Sequence, residues 1–255
     1  MRRPPNTKIP YLLALIAACA SIAAIGAGVS LSDGGDDEPA PAASGTRENP
    51  STTTRPGRPI LLLFHSGGFV FGDTSYIAEA VTIASRVGFQ PVAIEYPLGD
   101  LPAAVRAADD EARRYGRDGR EVYAYGESAG GTLAALLSEH DLVEAAATYS
   151  QVTNVTQFVN HTPDPAFYQV AIAATDRQMH DLSPAFGQAV APVLALVPTF
   201  DSPYLNRSTL AWSKRESLVR TRRVEGGHLA DGEPAVYEAN AERALGWLAR
   251  RADVP

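Results

Sequence analysis

The stretch Tyr125-Gly126-Glu127-Ser128-Ala129-Gly130-Gly131 holds a serine between glycines placed two residues to either side. A G-x-S-x-G turn set between a strand and a helix lifts a serine hydroxyl above a sheet. Glycine at those two positions lets strand and helix close on one another, because no Cβ stands between them. The helix N-terminus then presents backbone N–H groups beside the serine, where they favour developing negative charge. Ser128 is the candidate nucleophile.

A serine nucleophile needs a base, and the base needs a carboxylate to orient it. In this type of elbow the chain order is serine, then acid, then histidine. Four histidines follow Ser128: His140, His161, His180 and His228. His228 lies in Glu225-Gly-Gly-His-Leu229, after a strand signal and before the last helix, and is the candidate base. His140 reads as a charge at a helix C-terminus, while His161 and His180 read as surface residues of an irregular insert. Asp201 closes the run Val193-Leu-Ala-Leu-Val-Pro-Thr-Phe-Asp201, after a strand and before His228, and is the candidate acid; Asp176 and Asp181 are fallbacks.

Attack on a carbonyl also needs N–H donors for the oxyanion. Ala129, directly after the nucleophile, would supply one. Leu63-Phe-His-Ser-Gly-Gly-Phe69 follows an early strand and offers Gly67 and Gly68 as the others. His65 would hold that loop rather than act as base, and Ser66 is an additional donor candidate.

The elements that must position these residues alternate. Strands are predicted at 60–64, 91–95, 121–125, 145–150, 193–197 and 221–225, and helices at 79–87, 103–115, 130–138 and 234–250. The first strand is wholly apolar, as a strand buried on both faces should be. Strands separated by helices imply an α/β fold, a mostly parallel sheet with helices on both faces. Residues 151–191 form an insert with room for a small lid. Its Phe158, Phe167, Tyr168 and Phe186 would be lid core or the walls of an acyl pocket.

The 255 residues carry a net charge of −7 at pH 7 and no basic cluster beyond the N-terminus, which disfavours a nucleic-acid partner. The single cysteine, Cys19, leaves the folded part without a disulfide, a cysteine nucleophile or a cysteine metal site. No HExxH-type pair is present, so neither a metal nor a cofactor is expected.

Residues 9–31 contain no charge, follow Arg2, Arg3 and Lys8, and precede Asp33, Asp36, Asp37 and Glu38. This run is long enough to cross a bilayer, and the positive-inside rule puts the remainder outside the cell membrane. Residues 1–31 are thus expected to be a membrane anchor, a cleaved signal or, through Cys19, a lipid-modified segment. Residues 32–58 read as a flexible linker and 59–255 as the catalytic domain.

Together, HSGGF at 65–69, GESAGG at 126–131, PTFD at 198–201 and GGHL at 226–229 resemble the hormone-sensitive-lipase-like carboxylesterase branch of the α/β-hydrolase superfamily. Glu95-Tyr-Pro-Leu98 and Leu182-Ser-Pro184 are similar to further motifs of that family. The resemblance spans about residues 60–250. It implies the α/β-hydrolase fold and a cofactor-free serine esterase acting on small-molecule esters. Catalysis would fall to Ser128, Asp201 and His228, with Gly67, Gly68 and Ala129 at the oxyanion. The sequence departs from the pattern at Ser66, which replaces a glycine, and at Pro97, which replaces an arginine. The small insert implies an open site and small or exposed substrates. A peptidase or amidase of the same fold, and an inactive membrane-tethered binding protein, are the alternatives.

Overall fold

A computed structural model of the chain describes residues 57–254. The expected anchor at 1–31 and nearly all of the expected linker lie outside the described residues. Among the described residues, no helix is long and apolar enough to cross a membrane.

Six strands form one parallel sheet: β1 (Ile60–Phe64), β2 (Gln90–Ile94), β3 (Val122–Glu127), β4 (Ala145–Tyr149), β5 (Val193–Pro198) and β6 (Val219–Val224), in the order β2-β1-β3-β4-β5-β6. Helices α1 (Ala78–Arg86), α2 (Leu101–Arg117), α3 (Ala129–Glu139), α7 (Pro203–Arg215) and α8 (Pro234–Arg251) connect or follow the strands. The insert between β4 and β5 holds three short helices, α4 (Val155–His161), α5 (Pro165–Ala171) and α6 (Asp176–Asp181).

The pleat of β1 shows how the sheet divides two cores. Successive side chains of a strand point to opposite faces. Ile60, Leu62 and Phe64 pack with α2, α3 and the insert, while Leu61 and Leu63 pack with α1 and α8. All five are fully buried, which accounts for the unbroken apolar run. Helix α3 is buried along nearly its whole length, from Ala129 to Ser138. It therefore acts as the central post of one layer rather than as an amphipathic cover.

The sheet order reverses at β1: β2 lies on one side of it and β3 on the other. Loops after the two strands flanking such a reversal diverge and leave a crevice at the carboxyl edge of the sheet. The registers Phe64↔Gly126, Glu127↔Tyr149 and Pro198↔Val224 bring the strand ends level, so the loops that follow gather at that edge.

Several expectations differ in detail. The insert is helical, so His161 ends α4 and His180 lies within α6. Helix α7, which the sequence reading left without an element, covers β6 and the end of β5. Strand β6 starts at Val219, earlier than predicted, and β3 continues to Glu127.

Candidate active site

Ser128 stands between β3 and α3 with φ 51° and ψ −114°, a backbone region that a non-glycine residue adopts only under constraint. The constraint is visible in the glycines. A Cβ on Gly126 would lie 2.1 Å from the Gly130 carbonyl oxygen, and one on Gly130 would lie 2.2 Å from the Phe64 carbonyl oxygen and 2.5 Å from that of His65. No heavier residue fits at either place. The same contact presses the elbow against the start of the glycine loop after β1. Ser128 N–H donates to the Tyr149 carbonyl at 2.9 Å, which ties the turn to β4.

Three loops from distant parts of the chain bring Ser128, His228 and Asp201 together. His228 Nε2 lies 3.0 Å from Ser128 Oγ. His228 Nδ1 lies 3.0 Å and 3.2 Å from the two carboxylate oxygens of Asp201. Asp201 follows β5, His228 follows β6, and the two loops are joined by Phe200 N–H donating to the Gly226 carbonyl at 3.0 Å. The Asp201 side chain is fully shielded from solvent, whereas that of His228 keeps 27% of its surface open. An incoming molecule can therefore reach the imidazole but not the acid, and Ser128, 5% exposed, lies at the buried end of that opening. Asp201 Oδ1 also accepts from Ser202 N–H at 2.6 Å, which fixes the carboxylate at the N-terminus of α7.

Loss of hydration pulls the His228 pKa down, but the charge and hydrogen bond of Asp201, aided by Asp231 and Glu127, outweigh it and hold it above its ordinary value. An imidazole poised this way accepts a proton readily and is stabilised once charged. After His228 the backbone takes an unusual course. Leu229, Ala230 and Asp231 all have positive φ, at 49°, 64° and 50°. Ser150 Oγ accepts from Leu229 N–H at 3.1 Å and anchors the start of this left-handed turn.

Gly67 and Gly68 have φ of 126° and 62°, and a Cβ on Gly67 would lie 1.9 Å from the Phe71 carbonyl oxygen. Among the turns and loops of the described residues, no backbone carbonyl accepts from the N–H groups of Gly67, Gly68 or Ala129, the last of which stands in the first turn of α3. His65 is fully buried below this loop. Its Nδ1–H donates to the Ser66 carbonyl at 2.6 Å, its ring stacks on Tyr96 at 4.2 Å, and Tyr96 OH donates to the His65 carbonyl at 2.8 Å. His65 thus packs beneath the loop to which it belongs, tied to Ser66 and Tyr96.

Of the four insert aromatics, two meet the glycine loop. Phe158 packs edge-on against Phe69 at 6.2 Å and Tyr168 at 5.6 Å. A Cβ on Gly68 would lie 3.0 Å from the Tyr168 hydroxyl, so Tyr168 covers that glycine directly. Phe167 and Phe186 are largely exposed, Phe186 stacking on His180 at 4.2 Å. The remaining histidines stand apart from Ser128. His140 caps α3 and pairs with Asp109 at 2.8 Å, which raises its pKa, and His161 hydrogen-bonds within its own helix. The fallback acids Asp176 and Asp181 lie in α6 and are not among the partners of His228. Among the described residues, no group of three or more His, Cys, Asp or Glu side chains could hold a metal ion.

Glu127 and its two tyrosine partners escaped the sequence reading. Glu127 is only 1% exposed, and both Tyr125 OH, at 2.9 Å, and Tyr237 OH donate to its Oε1. The signal available was the charged residue itself, set inside an otherwise apolar and small-residue elbow.

This architecture is the α/β-hydrolase fold, and the solved structures that share it include esterases and a hormone-sensitive lipase. A Pyrobaculum calidifontis esterase superposes with a TM-score of 0.65 at 19% identity, covering 78% of each chain. A hormone-sensitive lipase from a metagenome library gives 0.64 at 18% identity, covering 78% of this chain and 80% of that one. EstE1, a thermophilic carboxylesterase from a metagenomic library, gives 0.62 at 21%, covering 78% and 81%. The kinship expected from the motifs holds at the level of fold. Among curated proteins, Esterase LipI of Mycobacterium tuberculosis is 33% identical over 93 residues, and the match spans only 29% of that protein's length. No family model matches the chain.

Proposed function

We propose that the protein is a carboxylic ester hydrolase working through a serine acyl-enzyme. The observation that carries this reading is the continuous hydrogen-bonded line from Ser128 Oγ through His228 to Asp201, set on a strained elbow. Ser128 Oγ attacks the ester carbonyl while His228 Nε2 takes its proton. Asp201 keeps the Nδ1–H tautomer in place and offsets the imidazolium charge. The carbonyl electron pair moves onto oxygen, and the N–H groups of Gly67, Gly68 and Ala129 donate hydrogen bonds to the resulting oxyanion. Collapse of this intermediate expels the alcohol, which takes the proton from His228. Water then repeats the sequence on the acyl-enzyme, releasing the acid and regenerating Ser128.

Similarity to enzymes named as esterases and carboxylesterases supports ester over amide as the substrate class. The small insert, with Tyr168 and Phe158 on the glycine loop, favours short acyl chains. The uncharged run at 9–31 behind basic residues supports anchorage in the cell membrane with the catalytic domain outside, or export after cleavage.

The test compares the full chain with Ser128→Ala on short and long p-nitrophenyl esters, alongside labelling by a fluorophosphonate. Short-ester hydrolysis and labelling should both be present, and the variant should lose about 10⁴-fold or more of kcat and all labelling. Activity that survives in Ser128→Ala removes that residue from its role. Absence of both activity and labelling in the parent protein defeats the enzyme reading.

A further inference from the structure

Glu127 stands directly before Ser128, yet the acyl-transfer scheme makes no use of it. Its carboxyl is enclosed, and each hydrogen bond it accepts comes from a phenol: Tyr125 of β3 and Tyr237 of α8. Tyr237 belongs to the first turns of α8, the helix that begins just beyond the His228 loop. Tyr237 also packs against Tyr149, ring centres 6.1 Å apart. The Tyr149 hydroxyl accepts from Asn240 Nδ2 at 3.0 Å, and the same nitrogen donates to the Glu225 carbonyl at 3.0 Å. Glu225 is three residues before His228. The elbow, the base of α8 and the root of the His228 loop are therefore joined by a run of contacts that starts at Glu127: a hydrogen bond from Tyr237, ring packing of Tyr237 on Tyr149, and hydrogen bonds from Asn240 to Tyr149 and the Glu225 carbonyl.

We propose that Glu127 is a positioning residue for His228: it holds the histidine loop through Tyr237 and α8, and its charge stabilises the imidazolium formed during acyl transfer. The proposal rests on the esterase reading. The titratable and charged groups that act on this carboxyl are Tyr125 from β3 and Tyr237 from α8, both hydrogen-bonded to it, and through charge Tyr149 from β4, Glu79 from α1 and His228. Burial pushes Glu127 up to about 7, against the two phenol hydrogen bonds and the His228 charge, which favour ionisation; the Glu79 charge opposes it. Neutral pH therefore lies where the carboxyl changes charge. Glu127 in turn is among the groups that raise His228. A purely structural glutamate would act through its hydrogen bonds alone, whatever its charge.

Glu127→Gln separates the two roles, because an amide oxygen still accepts from both phenols but carries no charge. With the negative charge gone, His228 protonates less readily. The acid limb of kcat/KM should move down by roughly half a pH unit to one unit, the scale of a nearby charge in protein. The plateau kcat should fall about 3–10-fold as imidazolium stabilisation is lost. A profile superimposing on that of the parent, or a uniform drop without a shift, overturns the proposal. Tyr237→Phe removes a donor, makes Glu127 harder to ionise, leaves less negative charge beside His228 and should move the limb the same way, downward, by less than Glu127→Gln does. It decides the matter should the glutamine variant fail to fold: an unmoved limb then refutes the proposal. A readout without turnover keeps this question apart from the esterase reading. In Ser128→Ala, the NMR titration of the His228 imidazole should fall to lower pH when Glu127→Gln is added. An unchanged titration would overturn the proposal even in an active esterase.

Discussion

The two ends of helix α3 carry the same problem and solve it differently. Each has a glutamate pushed up to about 7 chiefly by burial, Glu127 just before the helix and Glu139 at its last turn. Glu127 is met by two tyrosine hydroxyls, and the backbone beside it is held in a strained turn by glycines with no spare room. Glu139 has an Oε1 without a hydrogen-bond partner, and its neighbours His140 and Arg215 act on it through charge alone. The amino end couples its buried carboxyl to the chemistry; the carboxyl end only bears the desolvation penalty. What separates a working buried charge from a liability is thus the set of donors around it, since the degree of enclosure pushes both the same way.

Substitutions can break this contrast. The largest effect is the loss of catalysis expected for Ser128→Ala, which should leave the thermal midpoint nearly unchanged because no packing is removed. Next, Gly130→Ala would drive a methyl into the Phe64 carbonyl, where backbone on both sides prevents relief. It should cost about 4 kcal/mol or more, in the range reserved for severe steric or strain effects. Denaturant unfolding would show this, and a cost below about 1 kcal/mol would mean that the elbow is less tight than described.

At the other end the sign reverses. The folded-state pKa of Glu139 is above its unfolded value, so the native protein holds a proton that the unfolded chain releases. That contribution is at its most favourable below the ordinary glutamate value of 4.5 and is lost as pH rises toward about 7. Glu139→Gln removes the loss and should gain on the order of 1–2 kcal/mol at pH 8 relative to pH 5. Thermal midpoints of parent and variant across that range read the difference directly, with the Glu127 contribution common to both. Parallel curves would show that Glu139 is already well solvated.

The smallest expected effects compare two hydroxyls on the helix. Thr132 Oγ1 donates to the Val152 carbonyl at 2.6 Å near the site, and Ser138 Oγ donates to the Ala191 carbonyl at 2.7 Å at the far end. Thr132→Val and Ser138→Ala should each cost about 1–2 kcal/mol, since each leaves a buried carbonyl unpaired. Only the first should also lower kcat, because Val152 N–H donates to the Ser128 carbonyl. Equal effects on kcat would erase the distinction between the two ends.

Much of this arrangement is legible in the sequence where short-range geometry dictates residue type. The glycines of the elbow and of the 65–69 loop are required by contacts within a few ångströms, so they mark their own positions. Ser128, Asp201 and His228 stand out because each follows a strand of a parallel sheet, so their loops share one edge, in the order that a nucleophile elbow leads one to look for. Helices α4, α5 and α6 are six or seven residues each, too short for a 3.6-residue period to declare itself. Their caps, Asn154, Asp164 and Thr175, were the better signal. Helix α7 buries only Leu205, Thr209 and Trp212, a stripe too narrow to read as an amphipathic face, although Pro203 after Ser202 marks a helix start. The Glu127 network joins residues 110 positions apart and leaves no local trace.

The left-handed turn after His228 has a consequence for how this protein can evolve. Leu229, Ala230 and Asp231 occupy a conformation that disfavours L-residues by about 1–2 kcal/mol each, with no glycine to relieve it. A glycine in the middle of the three would make the native state more comfortable. It would also let the neighbouring imidazole wander from Ser128. Selection for heat resistance alone would reach for that substitution, and selection for turnover would reject it. The segment is a place where durability and speed are in direct competition.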